Sequence, residues 1–290
     1  MKGGISSKLL NRLNKGKLSL GNEARDCFVK FIQSQLLDDQ SFKDKSGISD
    51  LYYTGFGWIL CLVLGIRLDT QKMSVYLKKH QEGDLDLIHY ASLKRCELIL
   101  QLMASGKILT WLRLIKTQPI KPLNEFNHVP HLDIYAPYSQ FIWMLLLEAT
   151  GNRKQSDVEM QKVLTQYQLP QGGYKNSSEG ACATTNATTA ALSVLGETNG
   201  YKTNKDIVAL KSFQDISGGF WAVKSAPVPD LLSTATALFT LSCYKEEPTY
   251  PPSDFIEAHW TESGGFVPTL MDNKSDVEYC FYGLLALGCV

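Results

Sequence analysis

Along the chain, amphipathic stretches alternate with stretches that are apolar on every side. Residues 28–37, 158–167 and 205–213 carry apolar side chains at helical spacing, and each stretch precedes a turn. Residues 188–195 and 234–241 follow such turns and are almost uniformly apolar, which is typical of helices buried on several sides. No strand-like alternation competes with this pattern. The pattern therefore predicts an all-α protein built from pairs of helices.

Glycine pairs recur at a constant interval in the C-terminal half of the chain. Gly172, Gly218 and Gly264 each begin a Gly-Gly-aromatic motif, and successive motifs start 46 residues apart. Twelve residues after each of these glycines, a polar residue precedes an apolar stretch; these residues are Thr184, Asp230 and Asp276. Such helical pairs bury their apolar faces only by stacking on neighbouring pairs.

Looser copies of the same unit occur in the N-terminal half. Asp50 leads into the apolar stretch 55–65, Asp133 leads into 141–147, and residues 84–103 supply a helix for the interval between them. The chain therefore contains six units. Six helical hairpins with little end-capping polarity are better closed than left as a rod, so we expect an α6/α6 toroid over residues 23–290, formed as one domain.

Several motifs resemble those of one known superfamily. Residues 168–174 (Q-L-P-Q-G-G-Y) and 214–220 (Q-D-I-S-G-G-F) resemble the Q-x-x-x-G-x-[W/F] repeat of squalene and oxidosqualene cyclases. Residues 49–54 (S-D-L-Y-Y-T), 230–234 (D-L-L-S-T) and 275–280 (S-D-V-E-Y-C) resemble the D-x-x-Y-[T/S] helix start of protein prenyltransferase β subunits. The resemblance covers nearly the whole chain and implies a single toroid around a central cavity.

The resemblance also implies a ligand and a set of residues that bind it. Cavities of this superfamily have aromatic walls that suit an isoprenoid chain, and the N-termini of the inner helices meet at one rim. We therefore expect an isoprenoid-like small molecule as partner. The candidate substrate-binding residues lie at or near the predicted inner-helix starts: Tyr52, Tyr53, Trp58, Tyr135, Asn186, Lys224, Asp230 and Tyr282.

The resemblance to protein prenyltransferases does not extend to their zinc site. That site takes its ligands from a D-x-C sequence at one inner-helix start and a histidine at the next. At the matching positions this chain has Asp230, but Leu232 replaces the cysteine and Tyr279 replaces the histidine. One carboxylate does not hold a catalytic zinc ion, so we expect no metal of this kind and no other cofactor.

The resemblance to class II terpene cyclases implies acid catalysis instead. The acid of those enzymes lies two residues after the helix-start aspartate, and Glu278 occupies that position in the last unit. If the protein is catalytic, the expected reaction is metal-free cyclisation of a small prenyl chain, with Glu278 as proton donor and Asp276 and Tyr279 as supports. Two alternatives stay open: a non-catalytic toroid that binds an apolar molecule or a peptide, and a prenyltransferase β-like subunit that needs an α partner.

Some of these polar residues also have a purely structural interpretation. Asp50, Asp133, Asp230 and Asp276 each precede a predicted helix, where an aspartate N-cap contributes about 1 kcal/mol. His89 could be a base or a ligand, but no cysteine or second histidine lies at a partner spacing. A hydrogen-bonded structural histidine is therefore the simpler interpretation.

Composition and charge exclude several function classes. Lys plus Arg and Asp plus Glu each total 29, so the net charge is zero. This balance argues against a broadly basic nucleic-acid-binding surface. The seven cysteines form no C-x-x-C pair, which is typical of reduced thiols and predicts a cytoplasmic protein without a disulfide framework.

The first 22 residues form a basic segment of their own. Five basic residues lie between positions 2 and 17, and no acidic residue occurs before Glu23. Glycines interrupt the segment, which favours a solvated and partly disordered tail. The alternative is a short helix that makes peripheral contact with a membrane, which would suit a protein that takes a lipid from a bilayer.

Overall fold

Helices make up most of the described chain, as the repeat pattern predicts. The computed structural model describes residues 4–81, 83–126, 133–152, 157–197 and 204–290. The α-helices in these ranges are α1 (Ile5–Ser19), α2 (Asn22–Ser34), α3 (Leu51–Leu64), α4 (Thr70–Gln81), α5 (Leu87–Ile115), α6 (Pro137–Ala149), α7 (Asp157–Thr165), α8 (Thr185–Leu195), α9 (Asn204–Lys211), α10 (Leu231–Tyr244), α11 (Ser253–Ala258) and α12 (Val277–Leu287). Two short antiparallel strands, β1 (Phe42–Lys43) and β2 (Ser49–Asp50), precede α3.

Six of these helices, which we call the core helices, carry most of the buried apolar residues: α3, α5 up to Gly106, α6, α8, α10 and α12. Gly106 has a φ of +73° and divides α5 into two helical segments. The first segment confirms the helix predicted over residues 84–103. Each core helix contacts the next one along the chain, and α12 also contacts α3.

Side-chain caps begin five of the core helices; in α5 the cap is Asp86, which accepts a hydrogen bond from the backbone N–H three residues later at 2.9 Å. Asp50, Asp230 and Asp276 accept a hydrogen bond from the backbone N–H three residues later, as predicted. Thr184 does the same for α8. These caps satisfy N–H groups that have no partner inside the helix.

The predicted cap at Asp133 is wrong. The N-cap of α6 is Ala136, and Pro137 occupies the first helical turn, where its missing N–H has no cost. The Asp133 carboxylate instead accepts hydrogen bonds from the Tyr167 hydroxyl at 2.8 Å and the Tyr135 backbone N–H at 3.1 Å.

The Gly-Gly turns place one aromatic ring of each unit beneath the following core helix. Tyr174, Phe220 and Phe266 are almost completely buried, and Phe42 occupies the same place in the first unit. Each of the first three rings in chain order is fixed by a hydrogen bond from its own backbone N–H to a threonine hydroxyl of the core helix; these bonds are Phe42–Thr54 (2.9 Å), Tyr174–Thr188 (3.0 Å) and Phe220–Thr234 (2.9 Å).

The turn glycines also bring each unit against the next. Gly172, Gly218 and Gly264 have positive φ values of 95°, 92° and 86°, a conformation that other residues rarely adopt. A Cβ atom at any of them would overlap a backbone carbonyl that lies within another amphipathic helix or just before it. The carbonyls belong to Lys205 of α9, Pro251 before α11 and Cys27 of α2.

Residues 5–19 of the N-terminal segment form a packed helix, which contradicts the expected solvated tail, while residues 1–3 lie outside the described residues. Helix α1 contacts α12, α3, α10 and α6, and its side chains Ile5 and Leu13 are buried. Gly16 lies so close to α12 that a Cβ atom there would overlap the Leu284 carbonyl. The apolar side chains that suggested membrane contact are therefore largely used in packing inside the protein.

Local composition could not reveal this packing because the partners of α1 are distant in sequence. The Glu148 carboxylate accepts hydrogen bonds from the backbone N–H groups of Ile5 and Ser6, both at 2.8 Å. Lys17 donates to the Val63 carbonyl at 2.8 Å, and Arg12 donates to the Gly288 carbonyl at 3.2 Å. Two of the basic residues thus satisfy carbonyls at the C-terminal ends of core helices.

Two glycines of α3 provide a matched test of how the rings pack. A Cβ at Gly57 would overlap the Phe42 ring, whereas a Cβ at Gly55 would meet nothing closer than 3.9 Å. We expect Gly57→Ala to lower the free energy of unfolding by about 1–3 kcal/mol through overpacking. Gly55→Ala should raise it by up to about 1 kcal/mol because alanine is the better helix former. Urea denaturation of both variants measures the difference, and equal effects would contradict this packing.

Candidate functional site

A cavity of about 320 Å³ lies between the core helices. All six contribute to its wall, and Leu9 of α1 lies against it. Most of the wall is apolar, with aromatic rings contributed by α3, α6, α10 and α12: Phe56, Phe141, Phe239 and Phe281. Hydroxyl and amide groups are interspersed with these rings, among them Tyr52, Tyr138, Asn186, Thr236 and Tyr282. The cavity can therefore hold a small and largely apolar molecule.

Tyr52 links the cavity wall to the predicted acid, Glu278. Its hydroxyl donates a hydrogen bond to Glu278 Oε1 at 2.7 Å. Burial raises the pKa of the Glu278 carboxyl, and the bond from Tyr52 opposes that rise. Tyr52 lines the cavity, whereas Glu278 is not among the lining residues. The carboxyl group thus lies behind a phenol, one hydrogen bond away from the cavity.

Asp276 and Tyr279, the predicted supports of Glu278, make no side-chain hydrogen bond with it in the structure. Asp276 caps α12 and accepts a hydrogen bond from the Tyr279 backbone N–H at 2.9 Å. Lys45 lies 3.8 Å from the Asp276 carboxylate and 5.0 Å from the centre of the Tyr279 ring. Asp276 acts on Glu278 only through its charge, which further raises the Glu278 pKa. Tyr52 takes the hydrogen-bonding role.

Three of the predicted substrate-binding residues line the cavity: Tyr52, Asn186 and Tyr282. Two more lie close to helix starts without lining it. The Tyr53 ring packs edge-on against Tyr52 with centroids 5.8 Å apart. Asp230 caps α10 by accepting from the Ser233 backbone N–H at 2.7 Å, and burial raises its pKa.

The remaining three predicted binding residues lie elsewhere. Trp58 is completely buried in the core, where its indole N–H donates to the Gln40 carbonyl at 2.7 Å. Tyr135 lies on the turn before α6 and is 46 % exposed, because the helix starts only at Pro137. Lys224 is exposed, and its ammonium lies 5.9 Å from the centre of the Phe213 ring.

His89 is a hydrogen-bonded structural histidine, as the sequence favours. Its Nδ1 lies 2.9 Å from the Asp86 carboxylate, and its Nε2 lies 3.8 Å from the Asp50 carboxylate. Asp50 and then Asp86 raise the pKa of His89 to about 9, although burial opposes them. The imidazolium therefore links the start of α3 to the start of α5.

Sequence reasoning missed one residue of the cavity wall that differs in kind from all the others. Arg95 of α5 lines the cavity, and of the lining residues that the structure describes it alone carries a formal charge. In the sequence it lies between Lys94 and Glu97, a pattern that resembles an ordinary solvated helix face. Only the position of α5 relative to the other core helices reveals its direction.

Comparisons with known proteins supply no further identification. The chain matches no protein-family model and no curated protein.

In the described ranges, no three His, Cys, Asp or Glu side chains cluster in a way that could hold a metal ion. None of the described helices is both long enough and apolar enough to cross a membrane.

The raised pKa of Glu278 predicts a pH-dependent effect on stability. A carboxyl that binds its proton more tightly when folded stabilises the protein below its unfolded pKa, and this contribution is lost as the pH rises through the folded pKa. The Glu278→Gln variant has no ionisable group at this position, so it does not lose this stabilisation as the pH rises. The free energy of unfolding of the variant, relative to the wild type, should therefore increase as the pH rises above about 4.

Urea denaturation at a series of pH values measures this change. Glu262→Gln, at an exposed position, is the control and should show no such trend. A Glu278→Gln curve parallel to the wild-type curve over the whole range would contradict the burial of an ionisable group at this position.

Proposed function

We propose that the helical pairs close into an α6/α6 toroid and that its cavity binds a small isoprenoid-like molecule. Two contacts support closure. Helix α12 contacts α3, so the last core helix is a neighbour of the first. Gly264 of the last turn abuts Cys27 of α2, as Gly172 and Gly218 abut the residues at the start of α9 and α11. The last unit thus contacts the first in the same way that consecutive units contact each other, through a turn glycine packed on the backbone within or just before an amphipathic helix.

The observation that carries the proposed function is the cavity itself. Its walls combine apolar side chains with packed aromatic rings; Phe56 lies 5.0 Å from Phe281 and 5.9 Å from Tyr282 between ring centroids. Its volume of about 320 Å³ is at the lower end for small-molecule sites and suits a short prenyl chain. These features support the resemblance to the terpene cyclase and prenyltransferase superfamily.

Acid-initiated cyclisation is a second candidate because of the pair formed by Glu278 and Tyr52. A protonated Glu278 could give its proton to the Tyr52 oxygen while the Tyr52 hydroxyl protonates an alkene in the cavity. After ring closure, the cyclic cation would lose a proton to the Tyr52 oxygen while the Tyr52 hydroxyl returns its proton to Glu278. Binding without chemistry is better supported, since the group that lines the cavity is a phenol and phenols are weak acids. Zinc-dependent prenyl transfer is not proposed, because Leu232 lines the wall where a thiolate ligand would be needed.

Filling the cavity tests the proposed function. Ala190 of α8 lines the wall, so Ala190→Phe places a ring inside the cavity. We expect wild-type protein to bind geraniol in a calorimetric titration, and the variant to bind it at least about tenfold more weakly. Val208→Phe, at a 68 % exposed position on α9, is the control and should bind as the wild type does.

Failure of the wild type to bind geraniol, or equal binding by Ala190→Phe, would refute a ligand-binding cavity. Incubation of the wild type and Glu278→Gln with geraniol, followed by mass spectrometry and chromatography, tests the second candidate. A cyclic product formed by the wild type and not by the variant would establish catalysis in addition to binding.

A further inference from the structure

Among the described residues that line the cavity, Arg95 is the one with a formal charge. It lies eight residues after the first residue of α5, about 12 Å along the helix from its start. No described residue forms a hydrogen bond or a salt bridge with its guanidinium group. Its sequence neighbour Lys94, by contrast, pairs with Glu97 at 3.2 Å.

A charged side chain on a largely apolar cavity wall is unfavourable when no opposite charge pairs with it. Arg95 is half-buried, and most of the cavity wall that it joins is apolar. Removing a charge from water is costly unless an opposite charge or hydrogen-bond acceptors replace the lost hydration. A ligand that carries a negative group would remove this cost, so the cavity favours an anionic ligand over a neutral one.

Two phenols in the same wall provide additional donors. Tyr138 of α6 and Tyr282 of α12 line the cavity with Arg95. Burial raises the pKa of both hydroxyl groups, and the positive charge of Arg95 opposes that rise in each case. Both phenols therefore remain protonated at neutral pH and lie within the electrostatic reach of the guanidinium, where each can donate to an anion.

The charges around the cavity favour a ligand with a single negative charge. Arg95 supplies a single positive charge, and the Glu278 carboxyl lies directly behind Tyr52. A diphosphate would bring several negative charges into this space with one cation to offset them. A carboxylate carries one charge, and its two oxygens match the geometry of a guanidinium fork.

Building on the proposed function, we propose that the ligand is a short apolar chain that ends in one carboxylate, and that Arg95 binds this carboxylate. The chain would then lie against the rings of Phe56, Phe239 and Phe281, on the apolar part of the wall. This assignment names the chemical class of the ligand and identifies Arg95 as the residue that selects it.

A series of ligands with one common chain tests the proposal. Geranic acid, geraniol and geranyl monophosphate share the chain and differ in the head group. In calorimetric titrations at neutral pH, we expect the wild type to bind geranic acid at least about tenfold more tightly than geraniol, since a hydrogen-bonded ion pair distinguishes them. Geranyl monophosphate should bind more weakly than geranic acid.

Variants at neighbouring positions of α5 assign the effect to Arg95. Arg95→Met should lose at least about tenfold in affinity for geranic acid while its affinity for geraniol stays within about threefold of the wild type. Retained geraniol binding shows that this variant is folded. Lys94→Met is the matched control and should bind both ligands as the wild type does.

The outcomes distinguish this proposal from the proposed function. If geraniol binds and geranic acid is not preferred, or if Arg95→Met binds geranic acid as tightly as the wild type, the carboxylate assignment is overturned and the ligand-binding cavity stands. Tighter binding of geranyl monophosphate also overturns the assignment. If none of the three compounds binds, the proposed function fails with it.

Discussion

The fold depends on the turn that joins each amphipathic helix to the core helix after it. In the last three of these turns a glycine with positive φ abuts a neighbouring amphipathic helix, and the aromatic ring that follows packs beneath the core helix. The backbone N–H of that ring residue donates to a threonine such as Thr54 or Thr234. One short motif therefore fixes both the position of its own core helix and the distance to the adjacent unit, so a repeated motif gives a repeated geometry.

The cavity lies between the core helices that these turns position. The polar groups of its wall come from different helices: Tyr52 from α3, Arg95 from α5 and Tyr282 from α12. Helix α1 adds Leu9 to the wall and binds to the C-terminal ends of α3 and α12 through Lys17 and Arg12. The basic N-terminal segment is thus an integral part of the structure around the cavity.

Sequence periodicity predicted the helices and three of the four aspartate caps, but it could not determine which side of an apolar helix faces the cavity. Phe56 lines the cavity, whereas Trp58, two residues and about 200° further round α3, is buried in the core. A helix that is apolar on every side gives no signal for this choice. Arg95 was missed for the related reason that a charged residue on a helix is usually solvated. Tyr135 was misplaced because Pro137 begins α6 later than the aspartate pattern implies.

The most direct test of the central claim, that the core helices surround a ligand-binding cavity, is a crystal structure of the protein from crystals grown with geraniol. The account predicts electron density for the ligand in a cavity enclosed by the six core helices, in contact with Phe56, Phe239 and Tyr282. It also predicts that α12 packs against α3. A cavity filled by side chains, or a last unit separated from the first, would contradict both the toroid and its proposed ligand.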